Sequence, residues 1–161
     1  RELTVFTNPL PNSYQRFGCD EAPRYVSWSR QNRSQLVRIP MVKGDNCRME
    51  LRSPDPACNP YLAIGLVLAA GLDGIEHRMV LQPPVNKNLF RPGEAEGLGL
   101  EMLPATLEEA VAIAEESDFL HKVLPEELSR RYFAEERARC EALRAAADPA
   151  EYERIHYFNA I

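Results

Sequence analysis

A nearly continuous apolar run from Tyr61 to Leu72 limits the folds that are open to this chain. Asn59 and Pro60 stand before it, and this pair favours the start of a helix, because asparagine caps the first turn and proline fits the first helical position. The run has 12 residues, whereas a helix that spans a bilayer needs about 20. Since the run leaves no polar face, we expect a helix that is buried on all sides.

The segments around this helix predict an α+β fold. Alternating apolar and polar side chains indicate three short strands, at residues 24–29, 36–39 and 48–52. Capping signals predict helices over residues 106–117, over residues 125–147 and from Pro149 onward. We therefore expect short antiparallel strands followed by a mainly helical C-terminal half. Three short strands cannot cover a wholly apolar helix, so the chain is expected to be the back half of a larger fold.

The cysteine spacing and the first residues favour a cytoplasmic protein. No apolar run follows residues 1–4, so no secretory signal is predicted. Four cysteines, at positions 19, 47, 58 and 140, are too far apart for a metal knuckle or a redox pair. We expect reduced cysteines, a cytoplasmic location and no membrane partner.

Charge is distributed unevenly along the chain. Residues 1–52 carry nine basic and five acidic side chains, whereas residues 94–161 carry seven basic and sixteen acidic ones. Sixteen of the 19 basic residues are arginines, whose planar fork matches carboxylate and phosphate groups. This arginine-rich front segment favours a small anionic ligand. It argues against nucleic acid, which usually requires a basic face over a whole domain.

The strand at residues 48–52 is the segment that bears most directly on chemistry. Its alternation predicts that Met49 and Leu51 face the core, while Arg48, Glu50 and Arg52 project from the opposite face. A carboxylate there can ligate Mg²⁺ or Mn²⁺, and the flanking arginines can hold a phosphate or a substrate carboxylate. The spacing alone favours the simpler alternative, an arginine–glutamate–arginine ion network on a sheet surface.

Further candidates lie in the loops and the strand before it. Glu21 stands in a loop bounded by glycine and proline, where it could act as a base on a closing lid, although most loop glutamates are merely solvated. Arg33 and Arg38 lie around a turn and on the strand after it, where they could converge on phosphate. The histidines, at 77, 121 and 156, are too widely spaced for a local metal motif, and we interpret them as structural.

Five sequence elements, taken in order, resemble the C-terminal part of the bacterial type I glutamine synthetase family. These elements are Asn8–Arg16, Glu21–Pro23, Asn32–Pro40, Arg48–Pro56 and Asn59–Leu62. The resemblance assigns residues 1–161 to the C-terminal portion of the catalytic domain. It implies an active-site segment of loops and strands over residues 1–58 and a helical segment over residues 59–161. It also implies that the family's N-terminal small domain, and most of its metal and nucleotide ligands, lie upstream of Arg1.

The resemblance implies a role for each matched residue. Glu50 matches a metal-ligating glutamate, and Arg52 and Arg16 match arginines that bind the substrate. Glu21 matches the mobile-loop glutamate that closes the site and takes a proton from ammonium, which makes it a catalytic residue together with Arg33. Three arginines match residues that contact the ATP phosphates or the phosphorylated intermediate: Arg33, Arg38 and Arg48.

The activity implied by the resemblance is ATP-dependent ligation of ammonia to L-glutamate through a γ-glutamyl phosphate, with Mg²⁺ or Mn²⁺ as cofactor. The implied partners are L-glutamate, ammonium, ATP and further copies of the subunit in a dodecamer of two hexameric rings. The 161-residue chain alone is expected to be inactive, because one metal ligand and a row of arginines do not make a complete site.

Two alternatives remain open. One is a ligase of the same superfamily that joins glutamate to an amine such as a polyamine. The other is a non-catalytic assembly module, which would use the acidic, helical tail of residues 106–161 for packing between subunits.

The resemblance also bears on adenylylation. Phe90 occupies the position of a tyrosine that is adenylylated in some members of the family, so we expect no adenylylation at this residue.

Overall fold

A computed structural model describes residues 1–19 and 21–158 of the chain. The strands are β1 (Trp28–Arg30), β2 (Val37–Ile39) and β3 (Glu50–Leu51). The helices are α1 (Thr4–Thr7), α2 (Pro60–Glu76), α3 (Leu107–Glu115), α4 (Asp118–Val123), α5 (Glu126–Ala145) and α6 (Pro149–His156). Short 3-10 helices cover Pro11–Arg16 and Gly44–Asn46. The α+β class, with strands first and helices after them, is confirmed.

The three strands form one small sheet in the order β1-β2-β3. β2 and β3 are antiparallel, with Arg38 opposite Glu50. β1 and β2, however, are parallel, with Trp28 beside Val37, so the prediction of antiparallel strands is wrong for this pair. In a parallel pair the loop must return from the end of β1 to the level of its start. Each strand has three residues and is only about 10 Å long, so the connecting loop can span this distance.

The core lies where α1, α3 and α5 meet the 3-10 helix at Pro11–Arg16. Phe6 of α1 stacks on Tyr132 of α5 with ring centroids 4.5 Å apart, and the Tyr132 hydroxyl donates to the Val5 carbonyl at 3.0 Å. Small residues of α3, Ala110 and Ala114, are fully buried against this layer. Their size lets α3 approach closely, so the helical tail is attached to the first turn of the chain.

Helix α2 begins as the sequence predicts but is not buried on all sides. The Asn59 side chain accepts hydrogen bonds from the amides of Tyr61 and Leu62, and only Ala63 and Leu66 of the helix are buried. The described elements reach one side of α2 and are too few to cover the others. Large apolar side chains therefore remain exposed along it: Tyr61, Ile64, Leu68, Leu72 and Ile75.

Met49 does not face the core as the alternation predicted, since its side chain is 60% exposed. The reason is that β3 has two residues at the edge of the sheet, so Met49 lies outside the regular pairing. It lines a shallow apolar groove of about 500 Å³ together with Val26, Trp28, Ile39, Met79 and Leu81. Among the described residues, no helix combines the length and apolar character needed to cross a bilayer.

Candidate active site

The first cluster of predicted site residues surrounds Glu50 on β3. Because Arg38 lies directly opposite Glu50 in the antiparallel pair, the two side chains share one face of the sheet. Arg38 Nη1 lies 2.7 Å from Glu50 Oε2, and Arg48 Nη2 lies 2.9 Å from Glu50 Oε1. The hydrogen bond from Arg38, reinforced by one from Arg48, holds the pKa of Glu50 below its usual value. Glu50 is therefore an ionised carboxylate held between two cations.

The second cluster surrounds Glu21. Arg33 Nη1 lies 3.4 Å from Glu21 Oε1, and Arg52 Nη2 lies 3.2 Å from Oε2. Glu21 has a φ of 69°, in the left-handed region that non-glycine residues seldom adopt. Backbone strain of this kind concentrates at functional sites. The structure therefore has two glutamates, Glu50 on β3 and Glu21 on the loop before β1, each between two arginines, rather than the single Arg48–Glu50–Arg52 network that the strand spacing favoured.

Arg52 has an unused hydrogen-bonding group in this cluster. Its side chain is 13% exposed, and its Nη1 is buried with no hydrogen-bond partner among the described residues. A buried guanidinium N–H without a partner is unfavourable. A carboxylate that accepted from this N–H would remove the penalty, so the arrangement fits an anionic ligand beside Glu21.

Arg16 lies in the 3-10 helix and pairs with neither glutamate cluster. Its Nη1 is 3.3 Å from Asp55 Oδ2, and Asp55 follows Arg52 by three residues along the chain. Sequence reasoning missed Asp55 as a functional partner. The available signal was its place in the Ser53–Pro56 segment, where prolines on both sides hold the aspartate in a fixed turn.

The loop that carries Arg33 is anchored by the connector that precedes α3. The Lys87 carbonyl accepts hydrogen bonds from Asn32 Nδ2 at 2.8 Å and from Gln35 Nε2 at 2.9 Å. The Ser34 hydroxyl accepts from the Leu89 amide at 2.9 Å. These contacts fix the backbone on both sides of Arg33 while its side chain stays largely exposed. The connector also contains Phe90, where the absence of adenylylation stays a prediction.

Glu50 suits a hard divalent cation as one ligand but not as a complete site. An ionised carboxylate is the kind of oxygen donor that Mg²⁺ and Mn²⁺ take. Over residues 1–19 and 21–158, no group of three or more histidine, cysteine, aspartate or glutamate side chains lies close enough to hold a metal ion. His77, for example, contacts Asp73 of its own helix. Further ligands would have to come from other chain segments.

Comparison with known proteins identifies the family of this chain. Residues 1–155 match the family model described as glutamine synthetase, catalytic domain. The chain is 44% identical over 157 residues to the glutamine synthetase of Methanosarcina mazei, covering 96% of this chain and 35% of that protein. It is 38% identical over 160 residues to the glutamine synthetase of Staphylococcus aureus, covering 98% of this chain and 35% of that protein. The chain thus spans about a third of the length of these relatives.

Solved structures of GmaS share the same fold. An apo form without ligand matches with a TM-score of 0.78 and 32% identity, covering 98% of this chain and 35% of that one. A complex of GmaS with ADP matches with a TM-score of 0.78 and 30% identity, covering 98% and 36%. Because the family model spans nearly the whole chain and the most similar relatives cover almost all of it, this chain belongs to the glutamine synthetase catalytic-domain family.

Proposed function

We propose that this chain is the C-terminal part of a longer protein that joins ammonia to L-glutamate with ATP, forming L-glutamine through a γ-glutamyl phosphate. The observation that carries the proposal is a pair of glutamates, Glu50 on β3 and Glu21 on a neighbouring loop, each held between two arginines. A site that must stabilise a substrate carboxylate, a transferred phosphoryl group and a leaving phosphate needs fixed positive charge beside ionised carboxylates.

In the first step the γ-phosphoryl group of ATP moves to the side-chain carboxylate of glutamate, which gives an acyl phosphate and ADP. Arg38 and Arg48, together with Arg33, would stabilise the charge on the phosphate oxygens. Glu50 would be the ligand that this chain contributes to a bound Mg²⁺ or Mn²⁺. Such a cation supplies charge neutralisation on the phosphates when bound. The lowered pKa of Glu50 keeps it ionised for that purpose.

In the second step ammonia attacks the carbonyl carbon of the acyl phosphate, and phosphate leaves. Ammonium must first lose a proton, and Glu21 would accept it. The Glu21 side chain is more than half exposed and stands on a loop, a position from which a base can close over a bound substrate and exclude water. Arg16 and Arg52 would bind glutamate, and the Nη1 of Arg52, which has no hydrogen-bond partner within residues 1–19 and 21–158, supports this role.

The names of the similar proteins support the nucleotide and the ligase chemistry. The curated relatives are glutamine synthetases, and one solved GmaS structure holds ADP. The longer protein would be a homo-oligomer, a dodecamer, because the family builds its sites between neighbouring subunits. The 161-residue chain alone is expected to lack synthetase activity. ATP- and ammonium-dependent glutamine formation by the purified chain would contradict this.

The decisive experiment measures phosphate release from ATP by the full-length protein with glutamate present. Ammonium and putrescine are compared as acceptors, with and without Glu50→Ala. We expect release that depends on ammonium and is lost in the variant. Release with putrescine alone would instead assign the protein to the polyamine-ligase alternative. We retain this alternative because the similar solved structures have a different name, GmaS, from the glutamine synthetases. No release with either acceptor, from a folded protein, would favour an assembly module.

A further inference from the structure

Resting on the proposed function, we propose that Asp55 is a positioning residue that holds Arg16 for binding the amino-acid substrate. Asp55 does not touch either glutamate cluster in the described contacts. It links two segments that each carry one substrate-binding arginine, because it follows Arg52 by three residues and contacts Arg16 directly. Asp55 therefore ties the segment that carries Arg52 to the 3-10 helix that carries Arg16.

The Asp55 carboxylate is itself fixed before it meets Arg16. Its Oδ1 accepts from the Ala57 amide at 2.8 Å, which leaves Oδ2 for Arg16 Nη1 at 3.3 Å. The backbone of Asp55 is fixed as well, since its amide donates to the Thr7 carbonyl at 2.8 Å. The Asp55 side chain is 12% exposed, whereas that of Arg16 is 38% exposed. A fixed, shielded carboxylate thus holds a more exposed guanidinium.

Asn8 supplies the second point of attachment. It is fully buried, its Nδ2 donates to the Ser53 carbonyl at 2.9 Å, and its Oδ1 accepts from the Thr7 hydroxyl at 2.9 Å. The bonded groups of Ser53 and Asp55 lie on either side of Pro54, whose φ is restricted by its ring. The segment of residues 53–55, which directly follows Arg52, is therefore clamped to the end of α1. Helix α1 in turn precedes the 3-10 helix that carries Arg16.

The charge pattern explains why the clamp needs an acid rather than any polar residue. The Asn8 contacts already fix the backbone, so the carboxylate of Asp55 is not required to hold the turn; an amide oxygen at the same position can accept from Ala57. What only the carboxylate provides is a charged partner for the Arg16 guanidinium. Loss of that charge releases Arg16 to other orientations, and misplacement of a substrate-binding group by about 1 Å can lower rates by roughly a hundredfold.

The test substitutes Asp55→Asn in the full-length protein, with Glu108→Gln as a matched control. Glu108 forms an ion pair of the same kind with Arg144, at 2.7 Å, on the exposed surface of the helical tail. For Asp55→Asn we expect the KM for glutamate to rise by roughly tenfold or more, with the KM for ATP unchanged. The control should leave both constants unchanged. Partial misfolding would instead lower kcat and leave both KM values as they are.

A second measurement does not depend on activity. The rate of phenylglyoxal modification at Arg16, followed by peptide mass in the full-length protein, should rise severalfold in Asp55→Asn and stay at the wild-type rate in Glu108→Gln. Asp55→Ser, which keeps an acceptor for Ala57, replaces Asp55→Asn if the latter does not fold. An unchanged modification rate, or an unchanged KM for glutamate in an active enzyme, overturns this inference alone. A wild-type protein without ligase activity overturns the proposed function and this inference together.

Discussion

Glu136 on α5 is a buried carboxylate with an incomplete set of partners. Glu136 is 3% exposed, and Arg139 Nε lies 3.2 Å from Glu136 Oε2. Neither of these two atoms has a hydrogen-bond partner in the part of the chain that the structure describes. Buried hydroxyls of Tyr14 and Tyr157 also lack partners among the described residues. Burial raises the pKa of Glu136 to about 7, although the charge of Arg139 acts in the opposite direction.

This pKa predicts a loss of stability with rising pH. A carboxyl group whose pKa is higher in the folded state favours folding while it is protonated in both states. The unfolded form ionises first as pH rises from about 4.5, and the contribution is lost as pH passes about 7. Glu136→Gln mimics the protonated form, so it should stabilise the chain relative to wild type by roughly 1–3 kcal/mol at about pH 8 and by much less at about pH 5.

Urea unfolding of both proteins at the two pH values checks this prediction. Glu135→Gln is the matched control, because Glu135 is exposed, lies on the same helix and also pairs with Arg139 at 3.7 Å. Its effect should be below about 1 kcal/mol at either pH. A difference between Glu136→Gln and wild type that does not change with pH would contradict the raised pKa.

A second single residue, Glu21, allows a prediction about catalysis. Glu21→Gln keeps the size of the side chain and its acceptor oxygen but removes the carboxylate that would take the proton from ammonium. In the full-length enzyme we expect kcat with ammonium to fall by about 10²–10⁴-fold, the usual contribution of a general base. The exposed Glu96 offers a neutral comparison as Glu96→Gln. Steady-state glutamine formation measures both, and an unchanged kcat in Glu21→Gln would exclude it as the base.

Among the secondary-structure elements, α3 carries the helical tail into the core and depends on its N-terminal cap. Thr106 Oγ1 accepts from the Glu109 amide at 3.1 Å, and Glu109 Oε2 accepts from the Ala105 amide at 2.8 Å. Thr106→Ala should lower the free energy of unfolding by about 1 kcal/mol, whereas Thr106→Ser, which keeps the hydroxyl, should change it by a few tenths. Urea unfolding measures both. Equal effects of alanine and serine would show that the cap is not the source.

Local signals allowed α3, α5 and α6 to be predicted from sequence, because each helix has its cap or its charge pattern within a few residues. The six-residue α4 was missed, since Ser117 was interpreted as a helix end although its hydroxyl caps the next helix by accepting from Leu120. The direction of β1 relative to β2 and the exposure of Met49 depend on neighbouring elements rather than on alternation. They could not be read from the segments themselves.

In the candidate site, too, some features could be predicted from the sequence and others depend on the tertiary structure. Resemblance to a family selected Glu21, Glu50 and the arginines around them, but spacing predicted only part of the pairing, since Arg48 meets Glu50 whereas Arg52 meets Glu21. Glu21 joins Arg52 across 31 residues of chain, and Arg38 joins Glu50 through the register of two strands. Such pairings follow from tertiary structure alone. The Asp55–Arg16 pair was missed for the same reason, since its members lie 39 residues apart.

Over the whole molecule, one continuous feature stands out, an apolar surface along α2 that the described elements leave open. Ile64, Leu68, Leu72 and Ile75 recur at helical spacing and are exposed. An added Cβ at Gly65, Gly71 or Gly74 of the same helix would meet no heavy atom within 4 Å. Near the end of the helix, Met79, Val80 and Leu81 are also exposed. Contiguous apolar patches of this kind usually mark an interface.

This surface predicts that one pair of substitutions has opposite effects in the 161-residue chain and in the full-length enzyme. Ile64→Glu with Leu68→Lys places an opposite-charge pair four residues apart, which suits a helix exposed to water. In the 161-residue chain the pair should reduce self-association measured by sedimentation velocity. In the full-length enzyme, where we expect α2 to be covered, it should lower soluble yield. Ile155→Lys on α6, also exposed, should change neither. A wild-type chain that is monomeric at micromolar concentration, or a full-length enzyme that tolerates the pair, would contradict the interface, because a surface that needs covering cannot accept two charges.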